Sequence, residues 1–61
     1  MELFAEYVTV NNKQGEVVKY LGSGIFKVRY MEGNVTRLHS FRESEIDFNK
    51  QDVEYLKKRY R

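Results

Sequence analysis

Residues 15–34 read GEVVKYLGSGIFKVRYMEGN, and this stretch decides the fold. Two runs rich in Val, Ile, Tyr and Phe flank Gly22-Ser23-Gly24, and a second Gly-Asn turn follows at Gly33-Asn34. β-branched and aromatic runs bounded by glycines signal a β-hairpin. Strand side chains alternate with period two. An even-length loop at the glycines therefore puts Val17, Lys19 and Leu21 on one face with Phe26, Val28 and Tyr30, which would be the core face. The opposite face then carries Val18, Tyr20, Ile25, Lys27 and Arg29. Glu32-Gly33-Asn34 reads as a three-residue loop, which turns Thr36 and Leu38 inward and adds Val35, Arg37 and His39 to the Lys27 and Arg29 face.

Outward from this centre, Phe4 to Val10 is a β-forming run that ends in the polar cluster Asn11-Asn12-Lys13-Gln14-Gly15. Phe41 to Phe48 reads as a fifth short strand or an irregular return, anchored by Phe41, Ile46 and Phe48. Asn49 then suits an N-cap, with Asp52 three residues later and Phe48 and Val53 in the hydrophobic-staple positions. These signals predict a helix from Lys50, covering about residues 50–60, with Val53, Leu56 and Tyr60 as its apolar stripe. The fold class expected is mainly β, four to five antiparallel strands and one C-terminal helix, in a single domain over residues 1–61.

Length and composition bound the function. A chain of 61 residues buries only roughly 60% of the surface it exposes when unfolded. A core of that size rarely supplies more than about 3–5 kcal/mol. Cysteine is absent and His39 is the only histidine, which removes disulfides and thiolate metal sites and leaves no expected cofactor. No run is long and apolar enough for a membrane span, and no signal peptide is evident, so the expected location is cytoplasmic. The five Tyr and four Phe supply much of the core.

The strand and turn pattern resembles the small SH3-like barrels, the group that includes Tudor, KOW and chromo-type modules. GEVVKY, the hairpin, IFKVRYMEGN and ESEIDF carry the resemblance, a little over half of the chain. It implies a small barrel that binds nucleic acid or peptides. The chain departs from methyl-reading Tudor domains in having no Trp, which leaves Tyr20, Phe26, Tyr30 and Phe41 for an aromatic cage. It also lacks the glycine-rich basic loop of KOW modules. An OB-like barrel, or an open sheet packed on the helix, satisfies the same strand count.

The net charge is only +2, yet residues 49–61 hold five basic and two acidic groups. Two surfaces are candidates for an anionic partner, DNA or RNA. One is the outward hairpin face with Tyr20, Lys27, Arg29, Arg37 and His39, where amines would neutralise phosphates while a ring stacks on a base. The other is the outer side of the helix with Tyr55, Lys57, Lys58, Arg59 and Arg61. Each also has a plain structural explanation, as a solvated sheet face or as cations complementing a helix terminus. Glu43, Glu45 and Asp47 alternate and in a strand would share one acidic face, opposing nucleic acid there. His39 with Ser40 and Ser44 is the sole conceivable hydrolytic set, and a chain this small has little volume for a cleft, so no enzyme is expected. The rival expectation is a protein-interaction module, either a homodimer or a small regulator docking on a larger partner, of the kind phages and plasmids encode.

Overall fold

The computed structural model of the chain describes residues 7–61. Four antiparallel strands form one sheet in sequential order: β1 Tyr7–Val10, β2 Lys13–Gly22, β3 Ile25–Glu32 and β4 Val35–Arg42. A 3-10 turn follows at Glu43–Glu45, and the helix α1 spans Val53–Arg59. The expected strand from Phe4 begins at Tyr7 within the described residues, and positions 4–6 lie outside them.

All three hairpins use two-residue loops, and the residues in them explain why. Asn11 and Asn12 have φ of 50° and 62°, and Ser23 and Gly24 have φ of 54° and 75°. These are the paired left-handed conformations of a type I′ turn, which matches the right-handed twist of the strands it joins. In the last hairpin only Gly33 has a positive φ, 64°, as a type II′ turn requires.

That last loop is one residue shorter than the sequence reading predicts, because Glu32 itself pairs with Val35. Every side chain of β4 changes face as a result. Val35, Arg37, His39 and Phe41 lie across from Glu32, Tyr30, Val28 and Phe26 on the core side, while Thr36, Leu38 and Ser40 lie across from Met31, Arg29 and Lys27 on the outer side. Within β2 the register slips twice, between Val17 and Lys19 and between Tyr20 and Gly22. Val18 and Leu21 are the extra, bulged residues. Between the two bulges the alternation is inverted, so Tyr20 pairs with Phe26 on the core side and Lys19 with Lys27 outside. Lys19 and Leu21 are therefore exposed, contrary to the inward placement expected for them, while Val17 regains the core.

After β4 the chain crosses under the sheet and returns to β1 at one residue. Thr9 and Asp47 exchange two backbone hydrogen bonds, of 2.8 and 2.9 Å. Phe41 and Arg42 belong to β4, so the Phe41–Phe48 stretch is an irregular return rather than a fifth strand. The sheet does not close. Its core consists of Val8, Val10, Val17, Phe26, Val28, Tyr30, Ile46, Phe48 and Leu56, with Tyr20, Phe41, Val53 and Tyr60 packed against it.

The helix starts later than Lys50. Asn49 and Lys50 have φ of 54° and 68°, a left-handed pair that cannot begin a right-handed helix. Asp52 caps it instead, its carboxylate accepting from the backbone N–H of Glu54 and Tyr55. Leu56 enters the core, and the carbonyl of Tyr60 accepts from the N–H of Tyr20 at 2.6 Å. This bond fastens the end of the chain to β2 between its two bulges.

Gly15 is a position of β2 where the neighbouring strand leaves no room for a side chain. It stands opposite Tyr30, and a Cβ there would come within 2.7 Å of Val28 Cγ1 and 3.1 Å of the Arg29 carbonyl. Gly15→Ala is expected to cost about 1–3 kcal/mol, because the neighbours on β3 must shift to admit one methyl group. Urea unfolding checks this as a lower midpoint with an unchanged m value.

Candidate nucleic-acid interface

The outer face of the sheet is assembled by strand register alone. Across one row stand Tyr7, Glu16, Arg29 and Leu38, and across the next stand Lys19, Lys27 and Ser40. Arg42, opposite Ile25, lies diagonal to Lys27 at the end of the same face. Lys19 and Lys27 thus occupy directly opposed positions on neighbouring strands. Like charges so placed destabilise a sheet, since their Cβ atoms are only about 4.5–5.5 Å apart.

No described carboxylate relieves this pair, because each has another partner. Glu16 holds Arg29 at 2.6 Å and Glu32 holds Arg37 at 3.1 Å. Glu43 and Glu54 both bind the Lys57 ammonium, at 3.1 and 3.2 Å. Glu45 accepts from the Arg42 backbone N–H, Asp47 from that of Asn49, and Asp52 caps the helix. Lys19, Lys27, Arg42, Lys58 and Arg61 have no carboxylate partner among the described residues. Lys19, Lys27 and Arg42 share the outer face of the sheet, whereas Lys58 and Arg61 belong to the C-terminal segment, which Leu56 packs against the core side and the Tyr60 carbonyl fastens to the Tyr20 N–H.

The structure separates the residues that the sequence groups together. Tyr20 turns away from the outer face. Its ring packs 4.7 Å from that of Phe26, its hydroxyl accepts from the Gly24 N–H, and Lys57 lies 5.7 Å over it. Lys27 stays on the outer face, and Arg29 is there too, tied to Glu16. Arg37 and His39 move to the other face, where His39 Nδ1 lies 3.3 Å from the Tyr30 hydroxyl. On the helix, Tyr55 and Lys58 are exposed and Arg59 lies over the Tyr60 ring, and Arg61, just beyond the helix, is exposed as well. Lys57 turns inward to its two glutamates, and hydrogen bonding to Glu43, then to Glu54, raises its pKa above the ordinary lysine value.

Lys19 and Arg42 are the site residues that sequence reasoning missed. A signal for Lys19 was present, since placing it among core positions conflicts with the rarity of buried lysines. The acidic strand face also dissolves, because Glu43 and Glu45 sit in a 3-10 turn, and no described group of His, Asp and Glu is arranged to hold a metal ion. His39 and Ser40 point to opposite faces of β4.

Beside the cation row, an open depression of about 610 Å³ is lined by Tyr7, Gln14, Glu16, Arg29, Met31 and Thr36 among others. Tyr7 and Met31 are 43% and 52% exposed there. No described helix is long and apolar enough to cross a membrane. No protein-family model, curated protein or solved structure matches the chain.

Proposed function

We propose that this chain is a small nucleic-acid-binding module of the SH3-like type that grips the phosphate backbone with low sequence specificity. The supporting observation is the opposed Lys19–Lys27 pair with no described carboxylate to neutralise it. An arrangement that costs folding stability is explained when an anion occupies it, and a phosphodiester chain supplies anions at regular spacing. Arg42 extends the row toward the end of β4, and Lys58 and Arg61 are cations without a described carboxylate partner on the C-terminal segment. Tyr7 and Tyr55 are the exposed rings available for stacking, whereas Arg29 and Arg37 contribute less because a carboxylate already holds each.

Fluorescence anisotropy with labelled single- and double-stranded oligonucleotides tests this reading. Three phosphate contacts, by Lys19, Lys27 and Arg42, predict a log–log salt slope of about −2.7 on duplex, or about −2.1 on a single strand. The double reversal Lys19→Glu with Lys27→Glu is expected to weaken binding strongly and to reduce the slope by about two units. Absence of binding at about 50 mM salt, or equal binding by that variant, overturns the proposal.

A further inference from the structure

The two edges of the sheet are treated differently. In a two-residue hairpin the residues flanking the loop form a hydrogen-bonded pair, and along each strand alternate residues then direct N–H and C=O to opposite sides. On β1 this leaves Tyr7 and Thr9 facing away from β2. Both are covered, Thr9 by the Asp47 backbone and the Tyr7 carbonyl by the side-chain amides of Asn49 and Gln51. On β4 the same rule leaves Thr36, Leu38, Ser40 and Arg42 facing away from β3. The Arg42 N–H is taken by Glu45. Nothing among the described residues covers Thr36, Leu38 or Ser40.

This open ladder has several properties of a docking edge. All eight β3–β4 pairs are in register without a bulge, and β4 contains no proline or glycine; the charges on this edge are Arg37, which Glu32 neutralises on the core side, and Arg42 at the end of the strand. The ladder is also symmetric about Leu38, with Thr36 and Ser40 two residues to either side. Antiparallel pairing of two β4 strands centred on Leu38 would use every free N–H and C=O of these residues, in three hydrogen-bonded pairs.

The side chains agree with that register. It sets Leu38 against Leu38 of the second copy and Thr36 against Ser40 on the outer face, and Val35 against Phe41 on the core side. Val35 and Leu38 are 51% and 50% exposed in the single chain. Charge does not favour an acidic segment in their place, because Glu32 already neutralises Arg37. Arg37 against His39 is the remaining pair.

The geometry points to a symmetric dimer built by antiparallel β4–β4 pairing centred on Leu38, which joins two sheets into one of eight strands. Its two-fold axis is perpendicular to the sheet, so the outer faces of both copies lie on the same side and each keeps its own lysine row. The test is made without nucleic acid and is independent of the phosphate-binding reading.

Sedimentation from about 5 to about 500 µM is expected to show the mass rising from one chain toward two. Leu38→Lys sets two like charges face to face on the axis and is expected to raise the dissociation constant at least about tenfold, with the fold retained by circular dichroism. Leu38→Pro removes the central outward N–H, a position where an edge strand tolerates proline, and is expected to do the same. Amide exchange at Thr36, Leu38 and Ser40 should slow as concentration rises. A chain that stays monomeric throughout, or a dimer that Leu38→Lys leaves intact, overturns the proposal.

Discussion

Phe26→Ala is expected to leave the domain largely unfolded at 25 °C. Phe26 is fully buried near the start of β3, with the rings of Tyr20 and Phe48 centred 4.7 and 5.3 Å away. Removing a buried phenyl ring costs about 3–5 kcal/mol through lost transfer energy and the cavity left behind. A domain of this size has about 3–5 kcal/mol in total. The loss therefore matches the whole stability rather than a fraction of it. Far-UV circular dichroism and a thermal scan check the outcome. A cooperative transition retained near the wild-type temperature would show that the aromatic cluster is not the centre of the core.

The second large effect is expected at Leu56, and it should look different. Leu56 is 1% exposed and is the only buried residue of α1. A helix of seven residues is too short to persist by itself, so its existence depends on that contact together with the Asp52 cap and the Tyr60–Tyr20 bond. Leu56→Ala is expected to cost about 2–5 kcal/mol. Much of the loss appears as detachment of the helix, because α1 contacts the sheet mainly through β2. Hydrogen exchange separates this from global unfolding. The Tyr20 amide, which bonds to the Tyr60 carbonyl, should lose protection before the amides that pair β2 with β3.

Much of the fold can be read from local chemistry. The β-branched and aromatic runs around Val17 and Phe26–Tyr30 are strands, and Gly22-Ser23-Gly24 and Gly33-Asn34 mark turns. The C-terminal helix is evident from Val53, Leu56 and Tyr60, although the expected Asn49 cap and start at Lys50 lie three residues before the observed cap at Asp52 and start at Val53. The choice fell to Asp52 because Asn49 and Lys50 were needed in left-handed conformations to turn the chain from Phe48 toward the helix.

The candidate site was far less legible, and the reason is the two-residue period of a strand. Amino-acid chemistry alone determined that the central segments would be strands, that glycine and asparagine would turn them, and that a short amphipathic helix would end the chain. Which side chains share a face was decided only by tertiary structure. A Gly-Asn turn accommodates two-residue and three-residue loops alike, and the difference of one residue inverted β4, carrying Arg37 and His39 away from Lys27 and bringing Leu38 outward. The bulges at Val18 and Leu21 did the same to Lys19 and Tyr20, because packing of the Tyr20 ring against Phe26 and the bond to Tyr60 select a register that no local propensity encodes.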